Sequence, residues 1–146
     1  MKMVAQNRRA RYDYEVIETV EAGIVLTGSE AKSCRRGHVN LSGSYVSFHD
    51  GRPVLKGAGI SKYAFSGPGV GHEEHRDRLL LLKKNELAKL RRGSEQKGMS
   101  IIPLEVRAGK FIKIIVGLGR GRKKADKRET IKTREIARRL REKREI

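Results

Sequence analysis

The stretch Gly117-Leu-Gly-Arg-Gly-Arg-Lys-Lys-Ala-Asp-Lys-Arg-Glu129 divides this chain into two parts that cannot fold alike. Before it, apolar and polar residues alternate. After it, apolar residues nearly vanish. Residues 120–146 carry 13 Lys/Arg against 5 Asp/Glu, a net of +8, while the 119 residues before them carry 21 against 12, a net of +9. About half of the excess charge therefore sits in under a fifth of the chain. So charged a segment, with so little apolar surface, cannot bury a core of its own. The sequence predicts a folded body over residues 1–119, a glycine-rich hinge beginning at Gly117, and a basic tail over residues 120–146. The tail is expected to be disordered alone and helical once a partner orders it. Its i, i+4 pairs Glu135–Arg139 and Arg138–Glu142 give an isolated helix only marginal support.

The body has room for one core. Hydrophobic residues make up 37% of the chain, Trp is absent and aromatics are 5%, so aliphatic side chains must fill it. The formal charge of +17 calls for a polyanionic partner, and nucleic acid is the default, ahead of an acidic membrane surface. No apolar run approaches the roughly 18 residues of a membrane span. The opening MKMVAQNRRARYDY has no apolar segment of the secretory kind, and the lone Cys34 fits a reducing cytoplasmic setting.

Along the chain, residues 1–11 read as a polar, basic arm. Tyr12 to Val20 alternates like a half-buried strand, interrupted at Ile17 and Glu18, with a bend or bulge at Ala22-Gly23 before Ile24-Val25-Leu26. Residues 29–36 predict a short helix with Ser29 as N-cap and Gly37 as its stop. Asp50-Gly51 is a strong hairpin signal between strands near Val39–His49 and Val54–Ile60. Residues 61–75 read as a loop. Leu79–Leu82 is a buried run, strand or helix, and from Lys83 a helix carries Leu87 and Leu90 and stops at Gly93 or Gly98. Met99–Arg107 and Phe111–Leu118 form a second hairpin, with Ile102, Leu104 and Val106 inward on one strand and Ile112, Ile114, Val116 and Leu118 on the other. Pro103 belongs at an edge or a bulge because it lacks the N–H a ladder needs. The sum is a mainly β body of about six strands with two or three short helices, expected to close as an OB-like β-barrel.

Candidate chemistry is sparse. Cys34 and His38 stand four apart with Gly37 between them and nothing to orient them. His72-Glu-Glu-His75 offers metal-ligating types but lacks the zinc-helix spacing, so a solvated loop is expected and no metal. The glycines from Gly117 lack the Lys-Ser/Thr of a phosphate-cradling loop. No acid, base or nucleophile set suggests an enzyme, and no cofactor is expected.

The residues then resemble a known family. Asn7-Arg-Arg-Ala-Arg11 with Tyr14 is similar to the opening N-[KR]-[KR]-A-x-x-x-[YF] of the SmpB family, the SsrA-binding proteins of bacterial trans-translation. Glu21-Ala-Gly-Ile-Val-Leu-Thr-Gly28, Glu30-Ala-Lys-Ser33 and Arg35 resemble its E-A-G-x-x-L-x-G-x-E-[VA]-K-S-x-R block. Asn40-Leu, Ser44-Tyr-Val46, Arg76-x-Arg78 with the leucine run, and Asp126-Lys-Arg128 continue the likeness over nearly the whole chain.

The resemblance implies a monomeric, cytoplasmic, non-enzymatic RNA-binding protein. Such proteins bind transfer-messenger RNA (tmRNA, or SsrA RNA) at its tRNA-like domain. They bring it to the decoding centre and mRNA channel of a stalled 70S ribosome, standing in for an anticodon arm. Alanyl-tRNA synthetase and EF-Tu are indirect partners. The family pattern puts tmRNA contacts at Asn7, Arg9, Glu21, Lys32, Arg35, Arg76, Arg78 and Leu81. It puts ribosomal contacts at Gly121, Lys123, Asp126, Lys127, Arg128, Lys132 and Arg134. Ala125 stands where the family usually has His or Tyr. Composition alone is equally compatible with a general basic OB-type RNA-binding or ribosomal protein.

Overall fold

A computed structural model of the chain describes residues 1–64 and 72–122. In order, the elements are β1 (Lys2–Gln6), α1 (Arg8–Asp13), β2 (Tyr14–Ile24), α2 (Gly28–Arg35), β3 (Val39–Asn40) and β4 (Tyr45–His49). There follow β5 (Arg52–Lys56), β6 (Gly59–Ile60), β7 (Arg78–Leu81), α3 (Lys84–Ser94), β8 (Met99–Ala108) and β9 (Ile112–Gly121). The described residues are mainly β, with three helices. Strands pair in the order β8-β4-β5-β7-β2-β9, and β9 pairs back onto β8, so six strands form a ring. Strand β1 pairs with β8 over Glu105–Ala108, beyond Ile101 where β4 joins it, and β3 and β6 form a separate pair.

Local chemistry explains the main joints. Asp50 and Gly51 take positive φ values of 52° and 76°, the two-residue turn whose twist matches a hairpin, and His49 pairs with Arg52 across it. The central hairpin runs β8 antiparallel to β9 from Met99↔Arg120 to Ala108↔Ile112. Its register shifts between Pro103 and Glu105. That extra residue inverts the alternation, so β8 faces two cores. Ile101 and Val106 join Leu55, Leu80, Ile114 and Val116 in the main core inside the ring. Ile102 and Leu104 point the other way and pack with Ile115 and with Ala10 of α1. The single inward row expected of Ile102, Leu104 and Val106 is thus split by the bulge that Pro103 marks. In β9 the expected row of Ile112, Ile114, Val116 and Leu118 lies in the main core as read.

Three expectations are corrected. Residues 2–6 are a paired strand rather than an arm, with Lys2 opposite Ala108 and Gln6 opposite Glu105, and residues 8–13 are helical. The bulge in β2 falls between Val16 and Glu18, where the alternation breaks, and the strand passes through Ala22 and Gly23 without interruption. Thr27, not Ser29, caps α2: its hydroxyl accepts from Glu30 N while the Glu30 carboxylate accepts from Thr27 N. Gly37, with φ +79°, stops that helix as expected.

The glycines read as a hinge are strand residues. Gly117, Gly119 and Gly121 lie in β9, paired with β2 and β8. They occupy alternate positions on the outer face, where neighbours lie across the bare backbone. A Cβ at Gly117 would meet Leu104 at 2.9 Å and Val16 at 3.1 Å; one at Gly119 would meet Tyr14 at 3.0 Å and Ile102 at 3.2 Å. These glycines make space for the smaller core. The expected tail from residue 123 onward lies outside the described residues.

Candidate nucleic-acid interface

The β2–β9 and β2–β7 registers assemble an outer surface from residues far apart in sequence. Glu21 lies opposite Ile115; two residues along, Gly23 lies opposite Lys113 on one side and Leu81 on the other. Directly paired residues share a face, so Glu21, Leu81 and Lys113 stand on one patch, within about 10 Å by strand spacing and rise. Glu21 is exposed and Leu81 is 57% exposed, whereas Leu80 is 2% exposed and belongs to the core. Core packing was the plain reading of Leu81; that role falls to Leu80. Gly23 lets the leucine lie across the strand, since a Cβ there would touch Leu81 Cβ at 3.3 Å. Among the described residues Glu21 forms no ion pair.

Helix α2 and the β8–β9 turn border this patch. Arg35 donates its guanidinium fork to Gly109 O at 2.7 Å and Lys110 O at 3.2 Å. It is therefore a brace on the turn rather than a free cation. The turn displays Phe111, 63% exposed, with the ammonium groups of Lys110 and Lys113 at 5.8 and 6.0 Å from the ring centre. Lys32 of α2 and Arg36, which caps that helix, each stand 5.4 Å from the Tyr63 ring. Cations interleaved with aromatic faces suit phosphates and unstacked bases together. Phe111, Lys110, Lys113 and Tyr63 escaped the sequence reading. The signal available was an aromatic between lysines at the tip of a predicted hairpin.

Two residues expected to contact RNA are buried and hydrogen-bonded within the protein. Asn7 is 3% exposed and its amide is fully used: Nδ2 donates to Pro103 O at 2.8 Å and Leu41 O at 3.2 Å, and Oδ1 accepts from Ala10 N at 3.1 Å. It caps α1 and ties β1 to β8. Arg78 is 0% exposed. Its Nε and Nη2 donate to Glu30 Oε2 at 2.8 and 2.6 Å, and it also donates to the carbonyls of Ala58 and Glu74. Arg76 donates to the other Glu30 oxygen at 2.6 Å from a partly exposed position. Arg9 is exposed and paired with Asp13 at 3.0 Å. Gly121 ends β9, its N–H donated to Gly98 O at 3.0 Å. Lys123, Asp126, Lys127, Arg128, Lys132 and Arg134 lie outside the described residues.

Glu30 is the electrostatic centre of the α2 region. Burial opposes its ionisation, but hydrogen bonds from Arg76, Thr27 N and Arg78 outweigh it and lower its pKa from 4.5 to about 2. Burial also raises the Cys34 thiol from 9.0 to about 11, against the opposing charge of Arg78. A buried thiol so hard to ionise is a poor nucleophile. His72 Nε2 lies 2.7 Å from Ile60 O, which fixes that nitrogen as the donor. Among the described residues no three His, Cys, Asp or Glu side chains gather as metal ligands. No helix there is long and apolar enough to cross a membrane.

With this geometry in place the comparisons with known proteins decide the family. The family model described as SmpB protein matches residues 4–145. The chain belongs to the SmpB family. An SsrA-binding protein of Prochlorococcus marinus subsp. pastoris is 45% identical over 140 residues, covering 95% of this chain and 80% of the relative. One from Lactobacillus helveticus is 45% identical over 143 residues, 97% of this chain and 93% of its own. One from Coprothermobacter proteolyticus is 44% identical with 97% and 95% coverage. Among solved structures, a chain from "tmRNA-SmpB: a journey to the center of the bacterial ribosome" superposes with a TM-score of 0.69 at 41% identity. It covers 86% of this chain and 92% of its own length.

Proposed function

We propose that this SmpB-family chain binds the tRNA-like domain of tmRNA through the outer face of β7, β2 and β9 and delivers it to stalled ribosomes for trans-translation. It acts by binding and placement, with no reaction of its own, in the cytoplasm. The observation that carries this reading is the exposed carboxylate of Glu21, without an ion pair among the described residues, beside Leu81 and Lys113 on a protein of net charge +17. A carboxylate repels phosphates. It is useful on such a surface where it accepts from a base edge such as guanine N1–H and N2–H. Leu81 then packs on a base or ribose, and Lys113, Lys32 and Arg36 meet phosphates. Phe111 offers a ring for an unstacked base. Arg35 and Arg78 contribute by holding the turn and α2 in place.

The six-stranded ring is read as an OB-like closed barrel, the rigid half of a division of labour. The tail carries Lys123, Asp126, Lys127, Arg128, Lys132 and Arg134 to the decoding centre and mRNA channel. Alanyl-tRNA synthetase and EF-Tu are met through the bound tmRNA. The test is competition binding of the full chain to the tRNA-like domain and to ordinary tRNA at fixed salt. Preference for the tRNA-like domain, lost in Glu21→Gln, supports the reading; equal affinities favour a general RNA-binding protein. Binding through Z phosphates weakens with salt with a log–log slope of about −0.7Z to −0.9Z.

A further inference from the structure

A second concave site lies at the other end of β8. Along that strand, Glu105 and Arg107 stand beside the Glu21 and Lys113 rows, Ile102 and Leu104 are covered by α1, and Met99 to Ile102 line a groove beside β4. From Arg107 to Met99 the strand covers about 25 Å at its normal rise. The two sites are therefore separated by α1. The groove holds about 640 Å³, within the roughly 300–1,000 Å³ of small-ligand sites. Its lining includes the apolar Ala10 and Ile102 of the smaller core and the serines Ser42, Ser47, Ser94 and Ser100. Tyr45, 49% exposed, stands at one side, on the same outward row of β4 as Ser47. Arg9 stands at the rim with its side chain 68% exposed.

We infer that this groove is a second RNA site, one that takes a single unpaired nucleotide, its base stacked on Tyr45. The occupant follows from the lining. An aromatic face beside apolar side chains accepts any base. Serine hydroxyls, donor and acceptor at once, suit base edges and a 2′-hydroxyl. The rim arginine donates Nε to Asp13, a carboxylate that also lines the groove, and suits a phosphate through its Nη groups. A duplex cannot present a base to it. The inference rests on the reading of the chain as an RNA binder, and its site is separate from the Glu21 patch.

The experiment uses the full chain and a fluorescent pentauridine carrying one 4-thiouridine. Crosslinked peptides are mapped, and affinities are compared for the native chain, Tyr45→Ala, Tyr45→Phe and Ser47→Ala. Stacking of one base is worth about 1–3 kcal/mol, so Tyr45→Ala weakens binding at least about five-fold. Tyr45→Phe keeps the affinity, crosslinks fall on 42–48 and 99–102, and binding to the tRNA-like domain is unchanged in Tyr45→Ala. Crosslinks confined to other segments, or a Tyr45→Ala affinity within two-fold of native, overturn the inference while leaving the Glu21 patch intact. If Tyr45→Ala lowers both affinities alike with unchanged thermal stability, the two sites are one and the inference fails.

Discussion

Replacing Glu30 by Gln should cost this fold up to about 3 kcal/mol. Glutamine keeps the volume and can still accept from Thr27 N, so the helix cap survives. What is lost is the negative charge facing Arg78, a guanidinium with no exposed surface. The depression of the Glu30 pKa from 4.5 to about 2 corresponds to about 3 kcal/mol at about 1.4 kcal/mol per unit. Breaking one partner of a buried pair typically costs 3–5 kcal/mol, in agreement. Arg76 gives the largest of the hydrogen bonds that lower this pKa, but at 39% exposure water screens it, so about 3 kcal/mol is the upper end for the pair with Arg78. With a urea m-value of about 1.5 kcal/mol per molar, the midpoint falls by up to about 2 M. The double variant Glu30→Leu with Arg78→Met should recover much of the loss, since apolar replacement of a buried pair is often near neutral. It leaves the carbonyls of Ala58 and Glu74 without Arg78, so recovery stays incomplete. Urea unfolding followed by circular dichroism reads Glu30→Gln, the double variant and its two singles. A midpoint within about 0.5 M of native for Glu30→Gln, or a double variant as unstable as the sum of its singles, would refute the reasoning.

Other outcomes follow from the same geometry. Because Glu30 is depressed in the folded state, its stabilisation is complete above pH 4.5 and is lost as pH falls toward about 2; the stabilities of the native chain and of Glu30→Gln should differ most above pH 4.5, converge as pH falls through that window and meet below about 2. Gly119→Val should destabilise by about 1–3 kcal/mol through overpacking against Tyr14 and Ile102, whereas a hinge glycine would tolerate it; thermal melts decide. Leu80→Ala should cost about 2–5 kcal/mol of stability, while Leu81→Ser should leave the melting temperature within about 2 °C and weaken binding to the tRNA-like domain. Arg35→Ala should speed amide hydrogen exchange at residues 109–111 by releasing the two carbonyls it holds; unchanged exchange would show that the brace is idle.

Much of the fold was legible because its signals are local. The Asp50-Gly51 turn, the alternation of β9 and the stop at Gly37 each need only neighbouring residues. What escaped depends on pairing between distant segments. Strand β1 carries no strong pattern and exists because β8 offers it an edge. The glycines of β9 look like a hinge until Leu104, Val16 and Tyr14 are seen filling their places. The same distinction sorts the site. The family resemblance points to Glu21 and Leu81, but the register that joins them to Lys113 is tertiary. Asn7 and Arg78 carry the residue types of RNA contacts, and only their burial reveals that the protein itself uses their donors. Glu30 could have been read further: Thr27-x-x-Glu30 is a capping box in sequence, although its two arginine partners arrive from residues 76 and 78.

The central claim is that the Glu21 face distinguishes one folded RNA from others. The direct measurement is the affinity of the full chain for the tmRNA tRNA-like domain relative to ordinary tRNA at physiological salt, for the native protein and for Glu21→Gln. The account predicts a preference of about ten-fold or more, the worth of a hydrogen-bonded base edge at about 1–3 kcal/mol, that shrinks toward unity in the variant with its melting temperature unchanged. Equal native affinities, or a preference that survives loss of the carboxylate, would contradict it.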